Sequence, residues 1–301
     1  MQEPSVPKKR KVKSKKPSRA KRRKATAENL PKQPQKWLVL AGTKEARDFI
    51  DEWRADSHVT MTACVATKNP HAYDLGVETR IGGFSYVGED GTAVAGDVAM
   101  AEFITKGRYE AVIDLTDPFA AQISANAYAA AKLAGASYFQ FVRPAWKPLG
   151  DDDWQYHDSW EALFQAVKTR HLFVAAGQEA LSALKPSTPA YITARMMAPP
   201  QVALSDLPEN LKIIMGAPSA LVGEEEALFR KIKITAVATN LSGGKDHVAK
   251  LAAARNLGLS VHLVKRPDYP EGWFGNLKSL YRAVARSLVV IEEKGEESIK
   301  D

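Results

Sequence analysis

From Trp37 onward, short apolar runs alternate with longer stretches in which hydrophobic residues recur every three or four positions. "WLVLAG" reads as a buried strand, and "TKEARDFIDEW" as an amphipathic helix with Ala46, Phe49, Ile50 and Trp53 on one face. "HVTMTAC" and "ETRIGGF" have strand texture, with a loop containing Pro70 between them. "VAMAEFITKG" is helical, "AVIDLT" a strand, "AAQISANAYAAAKLAG" a helix and "SYFQFV" a strand. After "RPAWKPLGDDD" the alternation restarts with "SWEALFQAV" as a helix and "HLFVAA" as a strand. It continues through helix "QEALSAL", strands "AYITARM" and "LKIIMG", helix "GEEEALFRKI", strand "ITAVAT", helix "KDHVAKLAAARNLG" and strand "SVHLVK". A final helix, "NLKSLYRAVARSLVVIEE", is open to packing on either half.

Strands and helices in this rhythm predict an α/β protein with parallel sheets covered by helices on both faces. Pro, Gly and three acids cluster at residues 148–153, as a linker would. The expected division is therefore a tail at 1–36, a first α/β unit at 37–150 and a second at 151–301 that includes the terminal helix. The cleft between two such units is the default place for a sizeable ligand.

Charge divides the chain differently. The formal net charge is +7, yet residues 1–36 alone hold 14 Lys/Arg against 2 Asp/Glu, and the rest of the chain is net acidic. The stretch "PKKRKVKSKKPSRAKRRK" has almost no apolar residues and is expected to be disordered. Three readings of it stand side by side. "PKKRKV" resembles a nuclear-import signal; residues 8–24 suit non-specific contact with nucleic acid or another acidic surface; or the segment is a solvated appendage. No apolar stretch is long enough to span a membrane, and the basic start is not followed by a secretory core. The single cysteine, Cys64, forbids an internal disulfide and suits a reducing cytoplasm. The six histidines are scattered, so no metal site is expected.

The chemistry is sought where open α/β sheets keep their ligands, beyond the carboxyl ends of the strands. "LAGTKEARDF" puts Gly42 and Thr43 between a strand and a helix, where free N–H groups and the helix's positive end suit a phosphate; a plain turn explains them too. "RIGGF" places Gly82 and Gly83 after a short strand. In "DLTDPFAAQISANA", Asp117 is expected as the N-cap of a helix with Pro118 at its first position. Phe119 is expected either to pack under that helix or to cover a flat ring. "FVRPAW" sets Arg143 just past a strand, beside Trp146. "NLSGGKDHVAK" repeats the first motif's logic in the second unit: Ser242, Gly243, Gly244, then Lys245 at a helix start, an unfavourable place for a cation unless an anion is near. No catalytic triad or carboxylate pair stands out. The residues suggest a binder or enzyme for a phosphate-bearing nucleotide plus an anionic ligand, with the chemistry borrowed from a cofactor.

Taken in order, "AGTKEAR", "RIGGF", "TDPFAAQISANA", "RPAW", "LSGG" and "AARNLGLSVHLVKRP" resemble the precorrin-6A reductase family of cobalamin biosynthesis, from about Trp37 to the C-terminal helix. The resemblance implies two Rossmann-like domains and NADPH-dependent reduction of one double bond in a polycarboxylate tetrapyrrole held between them. It implies a cofactor edge made of Gly42, Thr43, Glu45, Gly82, Gly83, Phe84 and Thr116 to Phe119, with Phe119 against a planar ring. It also implies that Arg143, Arg195, Ser242, Gly243, Gly244, Lys245 and Arg266 face substrate carboxylates, a task for which arginine's two-point fork is suited.

Several positions depart from the family pattern. Asp117 stands where the family usually has His. "ACVATKNP" leaves Lys68 as the cation near a ribose 2′-phosphate, and Asn240 and Leu241 replace Lys-Asn before the Ser-Gly-Gly turn. The expectation is a divergent, cytoplasmic NADPH-dependent reductase. The alternative is a lapsed reductase core that serves as a binding protein tethered by its basic tail.

Overall fold

The computed structural model describes residues 33–66, 74–188, 190–245 and 247–295, the last seven by backbone alone. The basic segment 8–24 and Lys68 lie outside the described residues.

The first half is a parallel sheet of five strands in the order β3-β2-β1-β6-β7. These are β1 (Gln35–Leu40), β2 (Val59–Val65), β3 (Glu78–Ile81), β6 (Ala111–Asp114) and β7 (Ser137–Gln140). A short antiparallel hairpin, β4 (Tyr86–Val87) and β5 (Ala93–Val94), stands beside it. Three helices connect the strands: α1 (Lys44–Trp53), α2 (Gly96–Gly107) and α3 (Ala121–Ala134). Trp37, Phe49, Ile50 and Ile113 build the core on one face; Leu38, Leu40, Met100, Ile104 and Val112 build it on the other. Strands buried on both sides leave no polar alternation, which explains the unbroken "WLVL".

The second half repeats the plan. β9 (His171–Ala175), β10 (Tyr191–Met196), β11 (Leu211–Met215), β12 (Ala236–Asn240) and β13 (Ser260–Val264) run parallel in the order β11-β10-β9-β12-β13. Counted from β1 in the first half and from β9 in the second, these five strands have the same order, 3-2-1-4-5, with the chain reversing direction across the sheet beside β1 and β9. Helices α4 (Trp160–Ala166) and α5 (Gln178–Ala183) bury one face; α6 (Val222–Ile232) and α7 (Ala249–Asn256) bury the other.

Two features differ from the sequence reading. Residues 154–157, which carry no assignment there between the linker and the next helix, form a sixth strand, β8 (Trp154–His157), which pairs with β13 at the sheet edge. Four residues after three acids carry too little pattern to announce a strand; pairing with a neighbour makes it. The terminal helix α8 (Leu277–Gly295) was grouped with the second unit, yet Leu280, Val284 and Leu288 bury themselves in the first unit's core, and Tyr281 packs 5.5 Å from Phe49. Hydrophobic spacing showed that α8 has an apolar face; it could not show which sheet was short of a cover. The strand-like segment ahead of α8 reaches the first sheet too. Phe274 pairs with Phe141, donates to the Gln140 carbonyl at 2.8 Å and accepts from the Val142 N–H at 3.0 Å. The chain therefore passes between the halves twice, once at 141–153 and once at 265–276. Among the described residues no helix is long and apolar enough to cross a membrane.

Candidate functional site

The carboxyl ends of both sheets supply the residues singled out from sequence. In the first half, β1 ends at Leu40 and Gly42 turns the chain with φ +135°, a conformation that suits glycine; a Cβ there would meet open space. Thr43 then caps α1. Its Oγ1 accepts from the Ala46 N–H at 3.1 Å and donates to the Leu115 carbonyl at 2.6 Å, tying the exits of β1 and β6 together. The hydroxyl is thus committed, and what this turn offers a ligand is backbone N–H from the helix's first turn.

The segment after β6 is built differently from its sequence reading. α3 begins at Ala121, and its N-cap is Ala120 without a side-chain bond, so Asp117 and Pro118 are not cap and first helical residue. The Asp117 carboxylate instead takes the Phe119 N–H at 3.0 Å and the Arg143 guanidinium at 3.2 Å, which holds residues 117–120 in a turn ahead of the helix. Thr116 faces inward: its N–H and hydroxyl both donate to Asp114, at 3.0 and 2.7 Å. Asp114 is fully buried and also takes the Tyr138 hydroxyl at 2.8 Å; burial and that carboxylate push the Tyr138 phenol well up. Sequence reading passed over Asp114 as a strand residue. Phe119 packs against the core of the second half, so the ring expected to lie on a ligand serves as a plug between the two halves.

At the far end of the first edge, the "RIGGF" loop folds around Arg80. The Arg80 guanidinium donates to the Gly82 and Gly83 carbonyls at 2.6 and 2.7 Å and lies 3.9 Å above the Phe84 ring. Phe84 is buried beneath it and presents no free face. Gly82 and Gly83 remain open, with nothing within 4 Å of a Cβ at either.

Between the halves sits a cluster of cations. Arg143 leaves β7 and reaches Asp117 and, at 3.6 Å, Glu45, so three of the singled-out residues meet there. Arg266, just past β13, donates to three backbone carbonyls: Leu241 at 2.7 Å, Ser242 at 2.8 Å and Arg143 at 2.7 Å. It therefore staples the linker to the Ser-Gly-Gly turn and has little fork left for a ligand. Gly243, at φ +72°, lies so close to the Pro144 carbonyl that any side chain would collide with it. Trp146 donates to the Gly244 carbonyl at 2.7 Å, and Tyr269 donates to that of Pro118 at 3.0 Å.

Two cations expected at ligand carboxylates lie elsewhere. Arg195 is buried at the end of β10 against Glu225 at 2.7 Å, over the Phe173 ring. Lys245 is exposed, and α7 starts at Ala249, four residues later than the sequence suggested, so Lys245 is not in its first turn. The lysine that is in that turn, Lys250, was not singled out. It is only 5% exposed, with its ammonium 5.1 Å from the Trp146 ring centroid. Its one sequence signal is being the sole polar residue in the otherwise apolar run 249–254. Asn240, where the family pattern has lysine, donates to Glu179.

Comparison with known proteins decides the family. The model of the precorrin-6x reductase family (CbiJ/CobK) matches residues 36–285. The chain belongs to the precorrin-6x reductases. It is 33% identical over 235 residues to a precorrin-6A reductase of Rhodobacter capsulatus, covering 77% of this chain and 88% of the relative. It is 28% identical over 276 residues to a cobalt-precorrin-6A reductase of Methanothermobacter thermautotrophicus, covering 86% of each. Among solved structures, the CobK precorrin-6A reductase superposes with a TM-score of 0.73 at 29% identity, covering 84% of this chain and 96% of that one. The family match begins at the first strand of this reductase and leaves the basic N-terminal segment outside it.

Proposed function

We propose that this chain is an oxidoreductase that reduces one double bond of precorrin-6A, a polycarboxylate tetrapyrrole, in corrin-ring synthesis, with NADPH as the reductant. The observation that carries the reading is the family match over residues 36–285, joined to a cationic cluster between two parallel sheets with the same strand order. NADPH supplies the hydride when bound. The first edge fits a dinucleotide: Gly42, Gly82 and Gly83 leave open space where phosphate and ribose need close backbone approach, and α1 presents its N-terminus there. Thr43 holds that turn by its bond to Leu115, and Glu45 and Asp117 hold Arg143 in place. Arg80, in register with Cys64 on β2, is a cation on the same edge; it and Lys68 are the groups proposed for the 2′-phosphate of NADPH.

What the chain itself must do is position two flat molecules and keep water out, which is where most of the acceleration of such a transfer arises. Phe119, seated in the second half's core, and Tyr269, bonded to Pro118, close the far side of the cleft. Purified protein mixed with precorrin-6A and NADPH is expected to consume the nicotinamide absorbance, and NADH to do so more slowly. A flat trace with both cofactors would end the reading.

A further inference from the structure

The buried and half-buried cations described above are not equivalent. Arg143 is neutralised by Asp117 and Glu45, Arg195 by buried Glu225, and Arg266 is spread over three carbonyls. Lys250 differs. Among the described residues no carboxylate lies within ion-pair distance of its ammonium, and its neighbour is the face of Trp146. Its stem is buried in the first turn of α7, and the Trp146 ring it faces donates to the Ser-Gly-Gly turn that Arg266 also holds. An ammonium taken out of water without a countercharge is strongly disfavoured, so a chain that keeps one has reserved it for an anion that arrives later.

We propose that Lys250 is the anion-receiving group of the second half, and that its ammonium pairs with a carboxylate of the tetrapyrrole. The inference rests on the reading above for the identity of the substrate. Three charged groups on three elements act on Lys250: Arg195 from β10, Glu225 from α6 and Asp117 from the turn after β6. Burial and Arg195 outweigh the two carboxylates and bring the Lys250 amine down to about 8. An arriving carboxylate restores the ammonium, so binding draws one proton from solvent whenever the free protein holds the neutral amine.

Calorimetric titration of the full chain with uroporphyrin, an eight-carboxylate tetrapyrrole, and separately with NADP+ tests this, at about pH 7 and about pH 9 in buffers of different ionisation enthalpy. Wild-type protein is expected to take up most of a proton per uroporphyrin at the higher pH and little at the lower. Lys250→Arg should keep uroporphyrin affinity within about threefold yet take up no proton, because arginine stays charged. Lys250→Met should lose at least about tenfold in uroporphyrin affinity, leave NADP+ binding unchanged and melt no lower than wild type. Equal affinity in Lys250→Met, proton uptake that persists in Lys250→Arg, or a loss confined to NADP+ would each overturn the proposal, the last by placing Lys250 on a phosphate. Wild type that binds NADP+ but not uroporphyrin would overturn it too. Failure of the function itself reads out separately, as wild-type protein that leaves NADPH unconsumed in the presence of precorrin-6A.

Discussion

The two halves share a strand order, yet their carboxyl edges are furnished differently. The first ends in glycine turns and a capped helix, with its carboxylates and hydroxyls already bonded inward. The second ends in a glycine turn held down by an arginine and a tryptophan, with a buried lysine against that tryptophan. On the function proposed above, one edge would offer backbone N–H groups to phosphate and the other a buried ammonium to a carboxylate. Common topology fixes where a ligand lies, and the side chains at the edge decide its chemistry.

The sharpest way to break this contrast is to remove the staple. Arg266→Ala is expected to cost about 3 kcal/mol, since three charge-assisted bonds to carbonyls are lost. A thermal midpoint that fails to drop, with a raised KM instead, would return Arg266 to the role of carboxylate reader.

A somewhat smaller effect of opposite sign belongs to Lys250. Its folded-state amine titrates near 8, below the ordinary value of 10.5, so the unfolded chain binds more protons between those pH values and stability rises with pH there. Below pH 8 the charged lysine is a full burden. Lys250→Met should therefore be more stable than wild type by about 2 kcal/mol at neutral pH, with the gap fading above pH 10.5. Denaturant melts of the two proteins across that range would show a constant gap if the idea is wrong.

On the first edge, Thr43→Val removes a helix cap and the tie to Leu115, and should lower stability by about 1.5 kcal/mol in urea titrations. Asp117→Asn is expected to be the mildest, within about 0.5 kcal/mol in stability, because the Asp117 side chain is half exposed. Its effect should appear in binding: with Arg143 partly released, uroporphyrin should bind about two- to fivefold more tightly, and unchanged affinity would mean that Arg143 does not meet the tetrapyrrole.

Most of the architecture was legible because strands buried on both faces and helices with one apolar stripe leave strong, different periods. The losses were local or long-range. Asp117 resembled an N-cap, but Arg143, 26 residues away in sequence, drew its carboxylate aside and the helix began later. β8 exists only through pairing with β13. The arginines looked like ligand groups because sequence shows a charge without its partner; Glu225, 30 residues from Arg195, was needed to reveal an internal pair. Lys250 went unremarked for the complementary reason: nothing in "AKLAAAR" says that its head would have no ion-pair partner among the described residues.

The last helix carries a consequence for how the protein is made. Leu280, Val284 and Leu288 share with α1 the task of covering the sheet face formed by Trp37 and Val39, so the first domain lacks part of its cover on that side until the ribosome has passed Leu288. Its packing waits on residues translated after the whole second sheet, and through that interval an uncovered apolar strip is open to aggregation.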